Sequence, residues 1–168
     1  MKGMSTWKAA LSAAVLGCIA FTGSTESAFA ATATTTFAVT ATVQATCSVT
    51  ATGMAFGTYS TTVATSTSTV SVTCTNGTTY NLGLNAGSAT GATVTTRQMT
   101  GPASALLNYG LYQDSAHSKN WGQTIGTDTE TGTGNGSAQA LTVYGQVPAG
   151  QYVSPGSYSD TITATVTY

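Results

Sequence analysis

Apolar and polar side chains alternate with a period of two along much of this chain. The stretch 158–168 places Ile162, Ala164, Val166 and Tyr168 on one side of an extended backbone, with Thr161, Thr163, Thr165 and Thr167 on the other. Successive side chains of a strand point to opposite faces, so this pattern predicts a half-buried β-strand. A second such stretch carries Phe37, Val39, Ala41 and Val43, again spaced largely by threonines. Its phase continues through Ala45, Cys47 and Val49, and Ala31 and Ala33 extend it weakly. Ordinary strands have about 5–6 residues and rarely exceed 10. The run therefore predicts two consecutive strands with different partners, the alternative being one long bent strand at a sheet edge. An apolar-faced strand near each end raises the question of what pairs with it, and points to strand exchange between molecules.

Between these ends no long segment has helical periodicity. Short alternating runs at 69–75, 80–85, 107–113 and 140–146 are separated by Gly, Asn, Ser and Pro, the pattern of a β-sandwich or barrel. Asn76-Gly77 is a turn signal, and Pro148-Ala149-Gly150 and Pro155-Gly156 punctuate the last two runs. The Gly-rich stretch 127–137 reads as a flexible loop. It holds no phosphate-cradling motif, since no lysine follows and no helix begins there. No second domain and no internal repeat is visible.

The first 30 residues read as a secretory signal peptide. Lys2 and Lys8 precede an apolar run at 9–21, and Ala28-Phe29-Ala30 is an A-x-A site that predicts cleavage between Ala30 and Ala31. The run is shorter than the ~20 residues a membrane-spanning helix needs. A lipoprotein-like box ending at Cys18 is a weaker alternative. Beyond Ala30, Arg97 and Lys119 face Asp114, Asp128, Glu130 and Asp160, a net charge of −2 with His117 neutral. So few basic residues exclude a nucleic-acid footprint. This segment holds 34 threonines. A β-branched side chain favours extended backbone, so that abundance reinforces an all-β reading. Cys47 and Cys74 are its two cysteines. In an exported chain they are expected to form one disulfide, because two thiols with one distant His117 make a poor metal site.

Little in the chain suggests catalysis. Asp114, Ser115, His117 and Ser118 contain the letters of a Ser-His-Asp triad, but members so close in one turn rarely converge. Asp128 and Glu130 could be written as a glycosidase pair, yet they sit two apart in the Gly/Thr-rich stretch. No catalytic residue, metal or cofactor is therefore assigned. Tyr109, Tyr112, Trp121 and Tyr144 could form an aromatic surface for a sugar or another subunit, with core packing the expected role of most. Asp160 is expected to fix the turn before it through a local hydrogen bond.

Several segments taken in order resemble one family. These are Met54-Ala55-Phe56-Gly57-Thr58-Tyr59, Val72-Thr73-Cys74-Thr75-Asn76-Gly77, Leu82-Gly83-Leu84-Asn85-Ala86-Gly87 and Asn108-Tyr109-Gly110-Leu111-Tyr112-Gln113-Asp114. Trp121-Gly122, Val143-Tyr144-Gly145-Gln146-Val147-Pro148-Ala149-Gly150-Gln151 and Pro155-Gly156-Ser157-Tyr158-Ser159-Asp160 complete the series. The chain resembles the spore coat protein U domain family, which includes subunits of archaic chaperone–usher pili. That resemblance implies an all-β, incomplete immunoglobulin-like β-sandwich lacking its final strand, occupying 44–168. A periplasmic chaperone lends a strand to the gap, and an outer-membrane usher exchanges it for the N-terminal strand of a neighbouring subunit. Carried onto this chain, the extension 31–43 is the donor, with Phe37, Val39, Ala41 and Val43 as its plugs. The acceptor groove is flanked by Ile162, Ala164, Val166 and Tyr168. The resemblance implies a shaft or adaptor subunit of a surface pilus, exported through the periplasm and supporting adhesion or biofilm formation. The alternatives are a spore-coat or cell-surface protein that fills its own groove, and a monomeric carbohydrate-binding module.

Overall fold

The computed structural model describes residues 29–168. The leader reading, Cys18 included, falls almost entirely outside them. The chain divides into two units, Met1–Thr40 and Ala41–Tyr168. The described part of the first is exposed and carries no secondary structure.

The second unit is all-β. Its strands are β1 (Cys47–Ala51), β2 (Ala64–Cys74), β3 (Thr79–Leu84), β4 (Arg97–Thr100), β5 (Leu106–Tyr112), β6 (Glu130–Thr133), β7 (Gln139–Val147) and β8 (Ala164–Thr167). All pair antiparallel, in a five-stranded sheet of order β1-β2-β7-β5-β4 and a three-stranded sheet of order β6-β3-β8. The two sheets form an immunoglobulin-like β-sandwich, the fold class the resemblance implied. The inward residues of alternating strands supply the core: Val70 and Val72 of β2, Leu82 and Leu84 of β3, Leu107 and Leu111 of β5, Val143 and Val147 of β7.

Several strand expectations need correction. The run 37–49 is not one long edge strand: of it, only the part from Cys47 is in a strand, the second of the two expected. Residues 37–46 are exposed and outside any ladder, and the strand begins at Cys47. The pattern was real, but alternation yields a strand only where a sheet edge and an apolar face receive it. The C-terminal strand is likewise shorter than 158–168, because only Ala164–Thr167 pairs with β3. The supposed flexible loop 127–137 contains β6, which pairs with β3 in the register Tyr80↔Gly132. Its glycines have a packing reason. A Cβ on Gly132 would strike the Tyr80 ring, and one on Gly134 would strike Cys74 and the Thr75 carbonyl.

Cys47 and Cys74 lie directly opposite each other in β1 and β2 and are joined by a disulfide. Trp121 is 1% exposed and its indole N–H donates to the Leu82 carbonyl at 2.9 Å. Arg97 of β4 is completely buried. Its guanidinium donates to four main-chain carbonyls, those of Asn85 (2.8 Å), Val94 (2.6 Å), Leu84 (3.0 Å) and Trp121 (2.6 Å). Burial pulls its pKa down, while Tyr109, Asp128 and Asp160 nearby oppose that shift. The planar fork of five donors suits a cage of carbonyls that a lysine could not fill.

Candidate functional site: an open seam between the sheets

β1 and β8 are edge strands of different sheets and lie near each other across the sandwich. Each is paired on one side only, β1 with β2 and β8 with β3. Their other edges present main-chain groups without ladder partners, along one side of the molecule.

The seam between them opens into a cleft of about 400 Å³. One wall is the chain leaving β1, from Ala51 to Met54 and Phe56. The other is the approach to β8, with Asp160, Ile162 and Ala164. The floor is core: Val70, Leu84, Tyr109, Leu111 and Val143. A second cleft of about 910 Å³ continues between 54–59 and 151–158, over Leu107 and Val147. Met54, Phe56, Met99 and Tyr158 line both. Core side chains thus floor a cleft along one flank closed by irregular backbone, each of them still no more than 6% exposed.

The groove residues named from sequence divide accordingly. Ile162 and Ala164 line the first cleft. Val166 is half-buried against the core in β8, and Tyr168 is 58% exposed beyond it. Phe37, Val39 and Val43 are 84%, 83% and 82% exposed, and Ala41 is exposed as well. The sequence reading missed Met54, Phe56 and Met99 as groove lining. Met54 and Phe56 are two apart in an extended stretch, a signal too short to separate from a loop.

Asp160 stands in phase with Ile162 and Tyr158, so its carboxylate faces the seam. Its Oδ1 accepts from Ser88 N–H, Ser88 Oγ and Thr161 N–H, each at 2.7 Å. The bonding is therefore more than a local turn. Burial pushes the carboxyl up, but the bonds from Ser88, Tyr109 and Thr161 outweigh it and hold Asp160 below the usual carboxylate range. Tyr109 is pushed up strongly, by burial first and then by its bond to Asp160.

The other candidate sites do not assemble. Asp114 accepts directly from Ser118 Oγ at 2.7 Å and from the N–H groups of Ser118 and Lys119. These bonds, the one from Lys119 foremost, hold its carboxyl low. His117 instead packs edge-on against Tyr112, centroids 5.2 Å apart. Asp128 folds back to accept from Thr124 N–H at 2.7 Å. Among the described residues, no three His, Cys, Asp or Glu side chains converge to hold a metal. Tyr109 and Trp121 are core residues, leaving Tyr112 and Tyr144 part-exposed.

The model of the Spore Coat Protein U domain matches residues 33–165. The chain belongs to the Spore Coat Protein U domain family. It is similar to "Protein U" of Myxococcus xanthus, with 40% identity over 91 residues, 54% of this chain and 50% of that protein. The match thus spans about half the length of that relative. In fold the domain is similar to a chain in the crystal structure of the CsuC-CsuE chaperone-tip adhesion subunit pre-assembly complex from archaic chaperone-usher Csu pili of Acinetobacter baumannii. The TM-score is 0.58 at 20% identity, over 76% of this chain and 41% of that one.

Proposed function

We propose that this Spore Coat Protein U domain chain is a structural subunit of a surface pilus that polymerises by donor-strand exchange. The observation that carries the reading is the seam between β1 and β8, two unpaired edges flanking a cleft floored by core residues. An added strand would supply main-chain hydrogen bonds to the edges and alternate side chains to the cleft. The run 31–43 has the matching pattern and displays its apolar side chains to solvent. Burying Phe37, Val39 and Val43 would contribute about 1.5–3 kcal/mol each before ordering costs. Joining the extension of one copy to the seam of the next is a heterologous contact that does not close, so it builds a fibre.

On this reading 1–30 is a signal peptide, 31–43 the donor and 44–168 the acceptor domain. A periplasmic chaperone would cover the seam during export, and an outer-membrane usher would catalyse the exchange and deliver the fibre to the cell surface. Support for that class of partner comes from the fold shared with a chain of a chaperone–subunit complex. The exposure of 41–43, outside any ladder, favours exchange over filling of the molecule's own seam. The role is structural, with adhesion or biofilm formation as its consequence, not catalysis.

Deleting residues 31–43 tests the proposal. Fibres should disappear while co-purification with the chaperone persists. Fibres that still form would remove the donor role. A truncated chain that folds and stays monomeric without a chaperone would remove the incomplete-sandwich reading.

A further inference from the structure

On the outer face of the five-stranded sheet, two tyrosines lie outside the core and outside the seam. Tyr112 of β5 and Tyr144 of β7 are direct cross-strand partners, and Tyr144 is flanked on its other side by Thr67 of β2. Both occupy the outward phase of their strands, alternating with inward Leu111 and Val143. A Cβ on Gly110 would run into the Tyr112 ring, so that ring lies back along the outer surface of β5. The His117 and Tyr112 rings meet edge-on, centroids 5.2 Å apart. The hydroxyls of Tyr59, Tyr109 and Tyr158 all donate to protein oxygens. Those of Tyr112 and Tyr144 find no such partner among the described residues.

The chemistry around this pair is largely neutral and polar. Outward positions of the five-stranded sheet carry mostly hydroxyls and amides, among them Thr65, Thr67, Thr142, Gln146 and Gln98, with apolar Leu106 and Ala140 between them and no formally charged side chain. Asp114 and Lys119 lie only at its margin, in the turn after β5. Such a face offers nothing to attract an anionic polymer or a charged peptide. It matches a ligand that is itself neutral, with flat C–H faces to stack on aromatic rings and hydroxyls to exchange hydrogen bonds with hydroxyls and amides.

We propose that the outer face of the five-stranded sheet binds a neutral polysaccharide, with Tyr144 and Tyr112 as its stacking platform. Thr67 and Gln146 flank the platform as polar partners. The site uses neither the seam nor the run 31–43, so it stands apart from strand exchange.

The test is retention of the exported full chain on insoluble cellulose, chitin and cross-linked dextran, with alginate as the anionic comparison. Retention on at least one neutral polymer and none on alginate is expected. Tyr144→Ala and Tyr112→Ala should each weaken it about tenfold, and Tyr144→Phe, which keeps the ring, by no more than about twofold. Unchanged thermal midpoints would show that the variants are folded, and the Phe variant supports the comparison if an Ala variant is not. Failure to bind all three neutral polymers, equal binding to alginate, or full retention by the doubly substituted chain overturns the proposal. So does concentration-dependent self-association lost in Tyr144→Ala without glycan retention, which would make this face a contact between copies.

Discussion

The Tyr109 hydroxyl donates to Asp160 Oδ2 at 2.7 Å, tying β5 of the larger sheet to the segment that enters β8 of the smaller one. The bond sits in the seam and ties the floor of the cleft to its β8-side wall. Its dependence on pH follows from the two shifts. An unfolded Asp titrates at about 3.9 and an unfolded Tyr at about 10. Folded Asp160 titrates lower, so its contribution is complete above its unfolded value and is lost as pH falls through the folded one. Folded Tyr109 titrates higher, so its contribution is complete below about pH 10 and is lost as pH rises beyond it. Asp160→Asn should therefore flatten the acid limb of the thermal midpoint against pH, and Tyr109→Phe the alkaline limb. At neutral pH Asp160→Asn should cost about 2 kcal/mol, the scale of a hydrogen bond to a charged group.

The Cys47–Cys74 disulfide closes a separation of 27 residues between β1 and β2. Cross-linking a loop of that length stabilises by about 3–4 kcal/mol in the chain-entropy model. A Cys47→Ser, Cys74→Ser chain should lose that amount in denaturant unfolding. Because β1 has no other ladder partner, its amides should also lose hydrogen-exchange protection before those of β7.

Ile162 lies on the β8 wall of the first cleft. Ile162→Asp would put a carboxylate among core side chains wherever an incoming strand covers it. A synthetic peptide spanning 31–45 should displace the chaperone from its complex with a chain lacking those residues, and Ile162→Asp should weaken the peptide's binding at least about a hundredfold. Calorimetry on the two proteins measures it. Equal affinities would place the strand elsewhere.

Met54 and Met99 both line the seam. A thioether takes an oxygen atom from hydrogen peroxide, which is reduced to water, and the resulting sulfoxide is polar. Peroxide treatment should reduce uptake of the 31–45 peptide. A Met54→Leu, Met99→Leu chain should bind the untreated peptide about as well and lose the sensitivity to peroxide.

What could be read from sequence depended on whether the signal was local. Inward Val70, Val72, Val143 and Val147 announced their strands because each alternates with polar neighbours over a long run. β4 is only four residues long and centres on Arg97 and Gln98, so no pattern marked it. Nothing nearby in sequence says that Arg97 is buried, since the carbonyls that receive it come from residues 84, 85, 94 and 121. β6 was concealed by glycines that exist because Tyr80 and Cys74 cross over them. The run 37–46 has a strand-like pattern but lies outside any ladder here, because such a pattern becomes a strand only where an edge receives it. Ile162 and Ala164, singled out by alternation, line the first cleft, and its other wall, with Met54 and Phe56, required the fold.

The two free edges of β1 and β8 also have a mechanical meaning. A strand seated lengthwise between them would lie parallel to any pull transmitted from copy to copy. Its cross-strand hydrogen bonds run perpendicular to that direction. Force would load them together, in shear, and not one after another from an end. Bonds of about 1 kcal/mol apiece would then have to rupture nearly at once, so a chain of such links could hold under tension far better than its individual contacts suggest.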